Sequence, residues 1–482
     1  MTPETLANLA YLLSSVLFVF GLKQLGRVKT ARQGNTLAAA AMLFAVIGTL
    51  VELGTIDYRW IIIGVLIGGA IGTATALKVE MTSMPELVAI FNGFGGASSA
   101  LVAIAVFYVS VERGGDLAAT ITAPALLGAD DATGAVTAVT SMLSVFIGAL
   151  TFSGSIIAYM KLNGSLKKGQ PILLPARHLI NIALIVAGLG SIVAFSATLQ
   201  GVATLTTALF ALTGISLLLG ILLVIPIGGA DMPVVVSLLN SYSGLAASAA
   251  GFVTGNPSLV IAGAMVGAAG LILTNLMCKA MNRSLLNVLV GGFGETGGGG
   301  DTSEYTNVKS SGAEEAAMIL EGASSVVFVP GYGLAVAQAQ HAVKELAAEL
   351  EKNGAEVRYC IHPVAGRMPG HMNVLLAEAD VPYEQLVELD LINGDFRTTD
   401  VAIVIGANDV ANPSAIEDPQ SPIAGMPIAN VHEARTVFVV KRSLSPGYAG
   451  IKNPLFERDN TMMLFGDAKK MVQQMTEELR QA

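Results

Sequence analysis

Along the first 280 residues the apolar positions come in unbroken runs, without the alternation of a strand or the one-sided stripe of a surface helix. Runs of about 17 to 25 residues, long enough to cross a ~30 Å hydrocarbon core as helix, occupy 5–22, 36–53, 60–77, 86–110, 136–160, 178–198, 202–225, 233–254 and 258–278. They predict about nine membrane spans. After Arg283 the pattern breaks: Gly291-Gly292-Phe293-Gly294 and Gly297–Gly300 lead into a polar Ser/Thr/Asn stretch, the composition of a flexible linker ending near 312. Beyond it, short apolar runs at Ser325–Pro330, Glu356–Ile361, Val401–Ile405 and Thr436–Val440 alternate with helical stretches such as Ala335–Lys352 and Ala468–Arg480. That order predicts βαβ units on a parallel sheet. The expected architecture is a polytopic α-helical membrane domain (1–285), a Gly-rich linker (286–312) and a C-terminal α/β Rossmann-like parallel-sheet domain (313–482). No repeat of fixed period stands out.

Composition supports this division. The 482 residues are 53% hydrophobic and only 13% charged, too little charge for a soluble chain of this length. The net charge of -9 argues against nucleic acid as partner, because phosphate binding needs clustered Lys and Arg. Cys278 and Cys360 stand far apart without a CxxC or His-rich companion, so neither a metal site nor a disulfide framework is indicated. The first apolar run follows Glu4 with no basic region and no small-residue cleavage site, and reads as a retained span. Basic residues collect on one side of the alternating pattern: Lys23, Arg27, Lys29, Arg32, Lys78, Lys161, Lys167, Lys168, Arg177, Lys279 and Arg283. The other side holds Arg59 and Arg113, with Glu112, Asp116, Asp130 and Asp131. By the positive-inside rule the N-terminus is outside and the C-terminal domain cytoplasmic.

The apolar run Val326–Val329 enters Gly331-Tyr332-Gly333-Leu334-Ala335-Val336, a G-x-G-x-x-V turn opening a long helix. In a dinucleotide site Gly331 permits the tight turn, Gly333 admits pyrophosphate to the backbone, and Val336 keeps helix and strand close. Taken alone, the turn fits a plain strand-to-helix connection as well. An NAD fingerprint expects an acid after the second strand to hold the ribose 2′-hydroxyl. Here that strand enters His362-Pro363-Val364-Ala365-Gly366-Arg367-Met368-Pro369-Gly370, whose one fixed charge is Arg367. A later strand ends in Lys441-Arg442-Ser443, which reads either as a solvated strand end or as three donors suited to a phosphate dianion. Together these favour NADP over NAD. Gly406-Ala407-Asn408-Asp409 follows another strand at the carboxyl edge, where Asp409 alternatively caps a turn. Ser445-Pro446-Gly447-Tyr448-Ala449-Gly450 has the glycine content of a mobile flap with an aromatic cover. Asp467-Ala468 opens the last helix, as N-cap or as nucleotide contact.

Several runs now carry a resemblance: Gly331–Gln338, His362–Ala379, Gly406–Asp409, Ser421–Pro427, Lys441–Ser443 with Gly447–Gly450, and in the membrane Gly228–Gly244 and Met281–Ser284. In order and over nearly the whole chain, they resemble the β subunit of proton-translocating NAD(P) transhydrogenase. The resemblance implies NADP(H) bound by the C-terminal domain, in an orientation reversed from the usual Rossmann mode and with the nicotinamide facing an NAD(H)-binding domain of an α subunit. It places nucleotide contacts on Tyr332, Val364, Ala365, Gly366, Arg367, Met368, Pro369, Gly406, Ala407, Asn408, Asp409, Val410, Gly425, Met426, Lys441, Arg442, Ser443, Leu444, Ser445, Pro446, Gly447, Tyr448, Asp467 and Ala468. This sequence holds no second fingerprint, so NAD(H) belongs to a partner polypeptide. The implied assembly is a dimer of the heteromeric complex in a bacterial plasma membrane, since a mitochondrial form is expected as one fused chain.

Direct hydride transfer between two nicotinamides needs no side-chain acid or base, and no catalytic residue is assigned. Coupling to protons needs polar groups in the membrane, where they are costly and rare. Asp231 stands at the start of the eighth predicted span, and Asn240 about nine residues, roughly 13 Å, into that helix. The resemblance implicates both in coupling, together with Arg283; read alone they are an N-cap, a packing contact and an interfacial anchor. Many members carry a histidine in the fourth span where this sequence has Asn92, which cannot titrate. The expectation is that a partner subunit supplies the imidazole beside Asn92. A channel or transporter gated by a cytoplasmic NADP(H)-sensing domain is the main alternative, and a pure assembly subunit a third; the scarcity of midplane charges weighs against transport.

Overall fold

The computed structural model describes residues 2–53, 58–112, 132–166, 171–198, 202–290, 305–368 and 370–481. They form two compact units, Met1–Thr274 and Asn275–Ala482. Arg113, Asp116, Asp130, Asp131, Lys167, Lys168, the glycine run 291–300 and Pro369 lie outside the described residues.

In the first part of the chain the apolar runs become helices, because only a helix satisfies its own backbone polar groups in hydrocarbon. Among the described residues, eight are long and apolar enough to cross a membrane: Pro3–Leu25, Ala31–Glu52, Tyr58–Lys78, Met84–Tyr108, Ala138–Leu162, Thr206–Val224, Met232–Thr254 and Pro257–Ala280. The sequence predicts about nine. The difference lies at Arg177–Thr198, whose described apolar part stops at Val193 and whose first turn carries Arg177 and His178. Helices of this unit approach through glycines, as expected where packing cannot draw on a contrast with water. A Cβ on Gly34 would stand 2.7 Å from the Gly21 carbonyl oxygen, one on Gly148 2.5 Å from that of Gly96, and one on Gly244 2.8 Å from that of Gly263. The Ser144 hydroxyl lies 3.0 Å from the Ser99 carbonyl and 3.1 Å from that of Ala246, tying three helices together.

The second unit is built on one parallel sheet. Its strands are β1 (Ser325–Pro330), β2 (Glu356–Ile361), β3 (Leu386–Glu388), β4 (Val401–Ile405), β5 (Thr436–Lys441) and β6 (Thr461–Phe465), in the order β3-β2-β1-β4-β5-β6. The Val-, Ile- and Phe-rich central strands are buried throughout, as parallel strands covered on both faces require. Successive strands wind outward in opposite directions from the β1–β4 pair, so their carboxyl ends frame the crevice where open α/β sheets hold ligands. Four of the six strands match the runs seen in the sequence. β3 has only three residues, and β6 is the methionine-rich Thr461–Phe465, so neither carries a strong strand signal.

One expected element is divided. The helix from the G-x-G-x-x-V turn ends after Tyr332–Val336, Gln338 turns left-handed at φ 51°, and a new helix runs Gln340–Lys352. The break is local. Ala337 and Gln338 bond back to Gly333 and Ala335, closing the first helix before the second begins.

Candidate functional site

Register pairs Pro330 of β1 with Ile405 of β4, bringing Gly331 and Gly406 side by side. The Gly331 N–H donates to the Ile405 carbonyl at 2.9 Å and the Gly333 N–H to the Gly406 carbonyl at 2.9 Å. Gly406 is left-handed (φ 66°), and a Cβ there would collide with the Gly333–Leu334 backbone. A Cβ on Gly331 would meet the Ala407 Cα at 2.5 Å, and one on Gly333 the Gly406 Cα at 2.7 Å. These glycines therefore clasp two loops together. On its Cβ side Gly333 lies against Gly406, so the glycine is needed here for the close approach of the two loops. Val336 does not hold helix to strand: it is 47% exposed, while Leu334 and Ala335 are fully buried.

Three segments meet on the same edge. After β2, the Arg367 guanidinium lies over the Tyr332 ring, 4.3 Å from its centre, and its Nε points to the Tyr448 hydroxyl at 3.4 Å. The Tyr332 and His371 rings meet edge-on at 5.9 Å. The Arg367 N–H donates to His371 Nδ1 at 3.1 Å, and Gly366 packs on the His371 side chain. Asp409 is half-buried and holds the flap: its carboxylate accepts the Ala449 N–H at 3.0 Å, and Gly447 packs on it. Burial raises the Asp409 carboxyl above its ordinary range, opposed by the Ala449 and Tyr448 N–H groups and by Lys441. Ala449 and Ile451 rest on a buried cluster of Ala415, Ile423, Met426 and Ile428. In that segment Gly425 is left-handed at φ 74°.

Lys441, Arg442 and Ser443 do not converge on one point. Lys441 leaves β5 half-buried, donates to the Ser445 carbonyl and lies 4.9 Å from the centre of the Phe456 ring. Burial pulls its ammonium down to about 8, against the Asp409 carboxylate. The Ser443 and Ser445 hydroxyls are 2.9 Å apart. Arg442 turns away, to an exposed ion pair with Asp467 at 2.8 Å. That pair holds the Asp467 carboxyl below the usual range, and the same carboxylate accepts the Lys470 N–H at the start of the last helix. Val364, Ala365, Met368, Ala407, Val410, Leu444, Pro446 and Ala468 lie on the same loops or the adjoining helix turn. Asn408 is joined to the loop after the flap through the buried Asn453, whose amide donates to the Asn408 carbonyl.

Two histidines at this edge carry little signal in the sequence. His362 follows β2 directly; its Nδ1 accepts the Val364 N–H at 3.2 Å, so the proton sits on Nε2, which donates to the Pro427 carbonyl at 2.7 Å. Burial lowers its pKa from the ordinary 6.5 to about 4. The unfolded chain takes up this proton near 6.5 and the folded chain only near 4, so unfolding binds a proton in between and acid destabilises. We expect the tie between 362–364 and 427 to weaken as pH falls from about 6.5 to about 4, by roughly 3 kcal/mol in full. Hydrogen exchange of these peptides, corrected for its intrinsic pH dependence, should show the loss, and a His362→Gln chain should show none in that window.

In the membrane unit, Asn92 is 9% exposed; its amide donates to Ser155 Oγ at 3.1 Å, and its buried carbonyl oxygen has no partner among the described residues. A Cβ on Gly95 would meet Ser243 Oγ at 2.9 Å, so the Asn92 and Asn240 helices touch there. Asn92 and Asn240 each precede that contact by three residues and share its helix face. Asp231 is fully buried at the head of the Met232–Thr254 helix, with no side-chain cap bond to that helix. Arg283, in the other unit, is half-buried and points to the Asn287 carbonyl at 3.4 Å. Lys161 was read in the sequence as an interfacial charge; it is instead 2% exposed.

Exposed Arg442, Ser443 and Ser445 offer donors of the kind a phosphate takes, and the buried Asp409 Oδ1, without a partner among the described residues, could accept from a sugar hydroxyl but not from a phosphate. A family model described as NAD(P) transhydrogenase beta subunit matches residues 7–478. Two curated relatives, both named NAD(P) transhydrogenase subunit beta, come from Rhodospirillum rubrum and from a designated strain of it. Each is 50% identical over 477 residues, covering 98% of this chain and 99% of the relative.

Proposed function

Since the chain belongs to the NAD(P) transhydrogenase beta subunit family, we propose that it is the NADP(H)-binding, proton-translocating subunit of a membrane transhydrogenase. The observation that carries the reading is the cluster at the β1–β4 carboxyl edge, where Arg367 lies over Tyr332 and reaches Tyr448 in the flap that Asp409 holds. NADP(H), when bound, supplies a nicotinamide that gives or takes hydride. Around it the chain positions and excludes water: Tyr332, Arg367 and Tyr448 form one wall, Gly425 and Met426 belong to the segment under the flap, and Arg442, Ser443 and Ser445 suit the 2′-phosphate. With NAD(H) brought by a partner α subunit, direct hydride transfer between the two rings would need no side-chain acid or base of this chain, only positioning and exclusion of water.

For the membrane unit the reading assigns Asp231, Asn240 and Asn92 to the proton path and Arg283 to coupling. The unpartnered Asn92 carbonyl supports a donor from outside this chain, which we assign to a histidine of the partner subunit. The basic residues favour a cytoplasmic C-terminal unit in a bacterial plasma membrane. Chain and partner reconstituted in vesicles should reduce an NAD analogue with NADPH while internal pH changes. Replacing the partner's membrane histidines should abolish the pH change. Solute flux without redox would instead favour an NADP(H)-gated channel, and hydride transfer without pH change would remove the proton from the proposal.

A further inference from the structure

Lysines at span ends ordinarily anchor a helix by reaching into the headgroup layer. In the membrane unit Lys23, Lys29 and Lys78 fit that description and are exposed. Lys161 does not. It closes the Ala132–Leu162 helix and is 2% exposed.

Backbone carbonyls are among its partners. The Val202–Val224 helix ends just before Ile225, leaving carbonyls that no later helical N–H can reach. The Lys161 ammonium donates to the Ile225 carbonyl at 2.6 Å and to the Ile227 carbonyl as well. Ile225 also accepts the Ile172 N–H at 3.2 Å, so three segments meet on this turn. An ammonium at the negative end of a helix dipole is favourably placed, and burial strengthens the interaction. The corner continues at once into function: the Asp231 N–H bonds the Gly228 carbonyl at 3.1 Å, Gly229–Asp231 is a single 3₁₀ turn, and Asp231 heads the next span with Pro233 in its first turn. Ile227, Asp231 and Met232 are each 2% exposed or less.

We propose that Lys161 is a positioning residue for proton translocation: its ammonium pins the Ile225–Asp231 corner and thereby fixes where the Asp231 carboxyl stands at the head of its span. The inference rests on the reading that protons cross this unit by way of Asp231. A residue needed only for folding would affect every activity alike. A residue that sets the Asp231 carboxyl should affect the proton-coupled reaction and spare hydride exchange that leaves the proton path unused.

The test uses the full complex in vesicles and two assays. One is NADPH reduction of an NAD analogue with internal pH followed. The other is hydride passage from NADH to the analogue through NADP(H) that stays bound, which needs no proton crossing. Lys161→Met keeps the apolar stem and removes the donors; loss of two charge-assisted bonds should slow the coupled reaction and pH change about ten-fold or more, with exchange within about two-fold. Lys161→Arg, restoring charge and donors, should recover most of the coupled rate. An unchanged coupled rate in Lys161→Met, or equal loss in both assays, overturns the proposal. If Lys161→Met does not assemble, Lys161→Gln is read by the same criteria, and failure of both to assemble also overturns it by making Lys161 a folding residue. If the unsubstituted complex moves no protons, the proposed function fails and Lys161 is not the cause.

Discussion

A Gly406→Ala chain is expected to lose nucleotide binding and much of the stability of its C-terminal unit. Gly406 holds φ at 66°, and a Cβ there would collide with the backbone at Gly333 and Leu334, which cannot swing aside as a side chain does. Left-handed strain costs about 1–2 kcal/mol and overpacking about 1–3 more, so roughly 2 to 5 kcal/mol is at stake. The damage falls at the carboxyl ends of β1 and β4, where Gly331 and Gly333 bond to Ile405 and Gly406. Denaturant unfolding followed at this unit, with hydrogen exchange of 326–335 and 401–411, should show the loss locally. Unchanged protection there would mean that the clasp does not hold the crevice together.

The second large effect is selective. Arg442→Ala should weaken NADP binding by about ten- to hundred-fold, the worth of one or two charge-assisted bonds to phosphate, and leave NAD binding as it was. The Arg442–Asp467 pair is exposed, and such pairs contribute little to stability. The fold should therefore survive, and a change in affinity reports the contact itself. Titrations with NADP and NAD decide between outcomes: parallel loss for both nucleotides, or loss for neither, places the phosphate elsewhere on the edge.

Much of this was legible in the residue pattern, for stated reasons. Eight of the nine apolar runs become helices of span length, and Val326–Val329 followed by Gly331 and Gly333 becomes a strand entering a turn at a sheet edge. Acidic Asp409 and the Gly-rich 445–450 run were separately visible; that the first clamps the second was not, because 36 residues separate them and no local rule pairs them. The helix division at Gln338 was hidden because every residue from Ala335 to Gln340 suits a helix. The clasp of Gly331 and Gly333 on Gly406 inverts the usual reading of the fingerprint: in this structure they make room for another backbone. Lys161 was misread for a simpler cause. At a span end a lysine looks like an anchor, and only the fold reveals that its ammonium donates to carbonyls of the turn after another helix.

Calorimetric titration of the purified full-length chain with NADP, and in parallel with NAD, tests the central claim most directly. The account predicts saturable binding of NADP, about a hundred-fold or more tighter than NAD, since only the former carries the phosphate that Arg442 and its neighbours can hold. Equal affinities, or a preference for NAD, would contradict it.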